Sequence, residues 1–193
     1  MATEIGIGSR ELILGGQKSG KSRRGEQLAA AWLSQSPAHR AVLIATARAH
    51  DDEMRARIAR HRSDRAARVP AMITVEEPLA LAQAIRTHGA PNTLVLVDCL
   101  TLWLTNLLMP LDGAPSRLSA PVAISSLLAS IVETKGPLVL VGNEIGLGVI
   151  PLGRETRDFV DALGMLNQQV AAACGRVTLM AAGLAITLKD EPA

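Results

Sequence analysis

Short continuous apolar runs rich in Leu, Ile and Val alternate along this chain with longer stretches whose apolar positions recur at helical spacing. Runs at Glu11–Leu14, Ala41–Thr46, Met72–Val75, Thr93–Asp98, Pro137–Gly142, Val177–Ala181 and Ala185–Leu188 predict strands. Most lack polar alternation, the pattern of strands covered on both faces. Helices are predicted over Lys21–Ser34, Asp51–Arg62, Pro78–Thr87, Pro121–Glu133 and Glu155–Cys174. Alternation of this kind gives an α/β fold, a mainly parallel sheet flanked by helices. Only Ala182–Leu184 separates the last two runs, so they form a hairpin and contribute one antiparallel strand at the C-terminal end. The stretch Met109–Ala120 carries Pro, Gly and Ser and reads as a surface loop, too short for an interdomain linker. The 193 residues therefore read as one domain.

Composition narrows the class. Apolar residues make up 48% of the chain and charged ones 20%, enough for a sizeable core. Twenty Lys and Arg face 18 Asp and Glu, and a net charge of +2 excludes a general nucleic-acid binder. With no Tyr and one Phe, a base-stacking platform is excluded as well. Cys99 and Cys174 offer neither metal-ligand spacing nor a disulfide framework, which fits a reducing cytoplasm. The N-terminal residues lack a signal-peptide pattern, and no apolar run is long enough to span a bilayer. A cytoplasmic protein is expected.

One segment carries specific chemistry. Gly15-Gly16-Gln17-Lys18-Ser19-Gly20-Lys21-Ser22 matches G-x-x-x-x-G-K-[ST] in full, between an apolar strand and a helix. Glycines let the backbone close round a polyphosphate with N–H groups pointing inward, and the helix N-terminus adds its positive end. Lys21 would reach the β- and γ-phosphates, and Ser22 would offer a hydroxyl to Mg²⁺. The fold expected is P-loop NTPase-like, of the RecA-like kind. Asp98, ending the apolar strand Thr93–Val97, stands where a second acidic group for Mg²⁺ belongs, or else caps a following helix.

The second feature is a concentration of arginine. Thr46–Arg68 holds seven, preceded within the predicted helix by Asp51, Asp52 and Glu53 in its first turn. Met54 and Ile58 define an apolar face, and His61 falls beside it, flanked by Arg60 and Arg62. Neighbouring cations disfavour the imidazolium form. A neutral ring nitrogen among guanidinium groups suits attack on phosphorus. The plainer reading is a solvated helix face with acid–base pairs such as Asp51–Arg55 and Glu53–Arg57, and a structural His61.

Further segments bring a resemblance into view. Ile44-Ala45-Thr46 leads to Asp51-Asp52-Glu53-Met54, Arg57-Ile58, His61 and Arg65. Later come Asn143–Pro151, then Arg154, Arg157, Phe159, Asp161, Gly164, Asn167 and Gln168, and finally Gly183-Leu184 and Lys189. With the phosphate loop, these residues resemble the bifunctional adenosylcobinamide kinase / adenosylcobinamide-phosphate guanylyltransferase family of cobalamin assembly. The resemblance spans nearly the whole chain after about ten residues. It implies phosphorylation of adenosylcobinamide by ATP or GTP, followed by transfer of GMP from GTP through a covalent GMP–histidine intermediate, with release of pyrophosphate. It assigns the histidine to His61, and nucleotide contacts to the phosphate loop, Thr46, Ala47, Arg48, Arg62, Ser63, Asp64, Arg65, Glu76 and Asp98. It also implies Mg²⁺ with the triphosphate and a homo-oligomer such as a trimer. Asn143–Pro151 is expected at the corrinoid-facing end of the site or at a subunit contact. A P-loop kinase of another small metabolite, or a nucleotide-sensing module without chemistry, would share the phosphate loop alone.

Overall fold

The computed structural model describes residues 9–49, 51–110 and 119–191. Strands β1 (Arg10–Gly15), β2 (Arg40–Ala45), β3 (Ile73–Glu76), β4 (Thr93–Asp98), β5 (Leu138–Val141), β6 (Arg176–Ala181) and β7 (Leu184–Asp190) form one sheet, ordered β3-β2-β4-β5-β1-β6-β7. All neighbours are parallel except β6 and β7, as the run spacing predicted.

Helices α1 (Lys21–Gln35), α2 (Asp52–Arg68), α3 (Leu81–His88), α4 (Leu100–Leu108), α5 (Ala120–Glu133) and α6 (Arg154–Ala173) join the strands. Continuous apolar strands need both faces covered, and two cores result. One, around Leu12, Val95, Leu140 and Trp103, gathers α3 to α6. The other, around Ile13, Leu43, Leu96 and Leu28, gathers α1 and the end of α2.

Differences from the predicted elements have local causes. Helix α4 was not anticipated: Leu100, Trp103, Leu104 and Leu107 are buried together, and Thr101, Thr105 and Asn106 are too few in its apolar run to mark it as a helix. α3 starts at Leu81 rather than Pro78, because Glu77 Oε1 accepts the N–H groups of Leu79 (2.9 Å) and Ala80 (2.7 Å) and holds a turn there. α2 runs six residues past Arg62, to Arg68. Asp51 caps it, accepting the Met54 N–H at 2.6 Å, so Arg55 pairs with Asp52 instead of Asp51. The side chain of Arg57 lies outside the described residues. The outer strands β3 and β7 are largely exposed, unlike the central five. Of the predicted loop Met109–Ala120, residues 111–118 lie outside the described residues, and Ala120 opens α5.

Trp103 is the largest fully buried side chain, and its Nε1 donates to Leu79 O at 2.9 Å. Trp103→Ala is expected to cost about 3–5 kcal/mol in urea unfolding, through cavity formation and an orphaned carbonyl.

Candidate nucleotide and phosphoryl-transfer site

Parallel α/β sheets present ligands at the carboxyl ends of their strands. Here those ends carry the phosphate loop after β1, Thr46–Arg48 after β2, Glu76 on β3, Asp98 on β4 and Asn143 after β5.

The phosphate loop is built as its sequence requires. Gly15 has φ +149°, and a Cβ there would stand 2.4 Å from Met180 O, so only glycine fits between β1 and β6. Gly20, φ +103°, turns the chain into α1. Lys21 Nζ donates to Gly16 O at 2.6 Å, which folds the ammonium back over the loop. Lys21 and Ser19 are buried, while Gly16, Gln17 and Lys18 are exposed along the rim. The β6–β7 turn braces the loop, Gly183 N–H donating to Ser19 O at 3.1 Å.

Thr46 is buried and frames the site. Its hydroxyl donates to Cys99 O (2.7 Å) and accepts the Cys99 N–H (2.8 Å), and its carbonyl accepts from Asn106 Nδ2 (2.8 Å). This ties the end of β2 to the end of β4 and directs Ala47 and Arg48 outward, both half-buried. Cys99, beneath, is inert: burial pushes its thiol up to about 12.

Ser22 lies in the first turn of α1, and Asp98, half-buried, ends β4 with only β5 between that strand and β1. One hydroxyl and one carboxylate are hard oxygen donors suited to Mg²⁺, with phosphate oxygens and water completing the shell. Among the described residues no cluster of three or more His, Cys, Asp or Glu could cage a metal by itself. Ser22 and Asp98 therefore fit an ion that arrives with a triphosphate.

On α2, His61, Arg62, Ser63 and Asp64 are exposed and Arg65 is half-buried. Between the C-terminal half of α2 and β3 opens a cleft of about 420 Å³. Arg62, Arg65, Thr74 and Glu76 supply its polar lining, and Val69, Pro70 and Met72 its apolar lining. Arg62 and Glu76 form an ion pair across it. Burial pulls the Arg65 guanidinium below its ordinary value, opposed chiefly by Glu26 and then Asp98. The structure thus brings Arg62, Arg65 and Glu76 together, while His61 stands on the exposed part of the same helix.

Sequence reasoning missed the apolar lining, which exists only once α2 packs beside β3, and it missed Glu26. That carboxylate, on α1, is buried beside Gly25, Leu28 and Ala29, and the signal was a lone acid on an otherwise apolar helix face. After β5, Arg157 Nη1 donates to Pro151 O (3.0 Å) and Asn167 Nδ2 to Asn143 O (3.0 Å), so these residues hold the loop.

The model of a family described as cobinamide kinase / cobinamide phosphate guanyltransferase (CobU) matches residues 11–188. The chain belongs to that family. CobU-family relatives include the bifunctional adenosylcobalamin biosynthesis protein CobP of Pseudomonas aeruginosa, 50% identical, with 95% of this chain and 99% of the relative covered. The CobU protein of Escherichia coli is 35% identical over 92% of this chain and 98% of its own length. Among solved structures, the flagellar accessory protein FlaH of Methanocaldococcus jannaschii superposes with a TM-score of 0.55 at 12% identity, covering 96% of this chain and 80% of that one. That likeness concerns the fold, which is P-loop NTPase-like.

Proposed function

We propose that this chain phosphorylates adenosylcobinamide and then transfers GMP from GTP to the resulting phosphate through His61. The observation that carries the reading is one sheet edge holding both the phosphate loop, with Lys21 folded over it, and a cleft lined by Arg62, Arg65 and Glu76 on the helix of His61. Membership of the CobU family supplies the substrate class.

In the first step, loop N–H groups and Lys21 hold the β- and γ-phosphates of ATP or GTP. The cobinamide hydroxyl oxygen attacks the γ-phosphorus, the bridge to the β-phosphate breaks, and a nucleoside diphosphate leaves. In the second, a ring nitrogen of His61 attacks the α-phosphorus of GTP, the α–β bridge breaks, and pyrophosphate leaves from the loop. An oxygen of cobinamide phosphate then attacks the same phosphorus, and the P–N bond breaks to free His61. Two in-line displacements retain configuration and give ping-pong kinetics. Mg²⁺ at Ser22 and Asp98 would neutralise charge on the departing phosphates. Arg62 and Arg65 would stabilise charge growing on the α-phosphate oxygens.

Guanine fits the cleft chemically. The Glu76 carboxylate can accept from guanine N1–H and N2–H₂, and Val69, Pro70 and Met72 would cover the ring in a chain poor in aromatics. Glu76→Gln should raise KM for GTP in guanylyl transfer by about 10-fold, since a hydrogen bond to a charged group contributes ~1.5–3 kcal/mol. Steady-state kinetics with ATP, whose base lacks those donors, checks the selectivity. The whole reading is tested by incubating the protein with GTP and adenosylcobinamide: γ-phosphate transfer together with pyrophosphate release supports it, and transfer without pyrophosphate supports a single-activity kinase.

One domain would serve both steps, and a homo-oligomer would give cover to apolar surface that stands bare in the single chain. Leu147, Val149, Ile150 and Leu152 after β5, with Leu184, Ile186 and Leu188 on β7, are all exposed. Sedimentation of a monomer at micromolar concentration would contradict the oligomer. No helix among the described residues is long and apolar enough to cross a membrane.

A further inference from the structure

Strands β4, β5 and β1 are neighbours in the sheet, so the end of β5 lies between Asp98 and the phosphate loop. Val141 pairs with Asp98 on one side and with Ile13 on the other. Beyond Val141 the chain stays beside the loop, Gly142 N–H donating to Ile13 O (2.9 Å) and Glu144 N–H to Gly15 O (3.1 Å). Asn143 is tied to α4, its N–H donating to Thr101 Oγ1 at 2.8 Å, and to α6 through Asn167. The Glu144 carboxylate is held too: Oε1 accepts the Gly146 N–H at 2.9 Å, and Oε2 lies 3.5 Å from Asn167 Nδ2. Asn167 is buried, whereas Glu144 is half-buried.

Glu144 differs from the other carboxylates at this edge in its partners. Glu26 pairs with Arg68, Glu76 with Arg62, and Asp98 is the carboxylate suited to Mg²⁺. Glu144 forms no ion pair among the described residues. Its two contacts are with neutral N–H groups, and a carboxylate has acceptor sites to spare for a third donor. A triphosphate end held by Lys21 on one side and by Mg²⁺ at Ser22 and Asp98 on the other crosses the end of β5, which lies one strand spacing, ~4.8 Å, from β1 and from β4.

We propose that Glu144 is the general base of the phosphorylation step, taking the proton of the adenosylcobinamide hydroxyl as its oxygen attacks the γ-phosphorus. The proposal rests on the kinase half of the reading above. As the new O–P bond forms, the O–H bond breaks towards a Glu144 oxygen. The bridge to the β-phosphate breaks with its electron pair leaving on the nucleoside diphosphate, and Glu144 then gives the proton to water. Guanylyl transfer needs no such base, because its two nucleophiles are a ring nitrogen lone pair and an oxygen of a phosphate already ionised.

That difference supplies the test. Glu144→Gln keeps an oxygen for the Gly146 N–H and removes the basicity, so it separates the base from the loop that carries it. Phosphorylation of adenosylcobinamide by ATP, and guanylyl transfer to separately prepared adenosylcobinamide phosphate, are measured on one preparation. In Glu144→Gln, kcat for phosphorylation should fall by about 10²-fold or more, the contribution of a positioned base. KM for ATP and the rate of guanylyl transfer should each change by less than about 3-fold, since neither depends on proton removal from the alcohol. Glu144→Asp, which keeps a carboxylate, should retain at least about 10-fold more phosphorylation than Glu144→Gln. Phosphorylation within about 3-fold of wild type in Glu144→Gln would overturn the base. Equal loss of both steps would also overturn it, by making Glu144 a structural part of the loop. A wild type that transfers guanylate but never phosphorylates adenosylcobinamide would instead overturn the kinase reading, and the base with it.

Discussion

Alanine at Lys21 is expected to lower both phosphorylation of adenosylcobinamide and guanylyl transfer by about 10²–10³-fold or more, the scale for losing a preorganised charge donor at a transition state. In the proposed mechanism both steps use the same loop, so both should fall. On the proposed mechanism Lys21 would face the phosphate being transferred in the first step and the pyrophosphate being expelled in the second. The fold should survive, since the ammonium's 2.6 Å bond to Gly16 O lies within the loop. The check is kcat/KM for each half-reaction together with the thermal midpoint. Loss of only one activity would mean that the two steps use different phosphate sites.

His61→Ala should separate the activities. Removing a covalent nucleophile costs on the order of 10⁴–10⁶ in rate, so guanylyl transfer should disappear into background. Phosphorylation, which would not use the imidazole in the proposed mechanism, should persist. Stability should change by no more than about 0.5 kcal/mol, because His61 is exposed on α2. Quenched-flow assays of phosphate and pyrophosphate release by the same preparation separate the two rates. Arg62→Ala, which breaks the pair with Glu76, should fall between these extremes.

What could be seen in advance followed physical locality. The phosphate loop was legible because eight consecutive residues and their strand–helix context encode it. The central strands were legible because burial on both faces leaves unbroken apolar runs. Helix α4 was hidden because Thr101, Thr105 and Asn106 are its few polar residues, two of them buried, so a short, mostly apolar helix looks like a buried strand. The end of α2 was misread because Ser63 to Arg68 carry no apolar period, although Pro70 marks the stop: Val69, just before it, leaves the helical region at φ −138°. His61 stood out through its arginine neighbours, but the cleft beside it could not, since Val69, Pro70, Met72 and Thr74 line it only after α2 meets β3. The Glu26–Arg68 pair joins residues 42 positions apart and leaves no mark in any local window. The net charge of +2 likewise concealed seven arginines between Thr46 and Arg68, of which Arg62 and Arg65 line one cleft.

The most direct measurement is the intact mass of the protein after incubation with GTP and Mg²⁺. The expected result is one added guanylate on the wild type, released by acid and absent from His61→Ala. A wild type that gains no mass, or a His61→Ala variant that still carries the guanylate, would contradict transfer through His61.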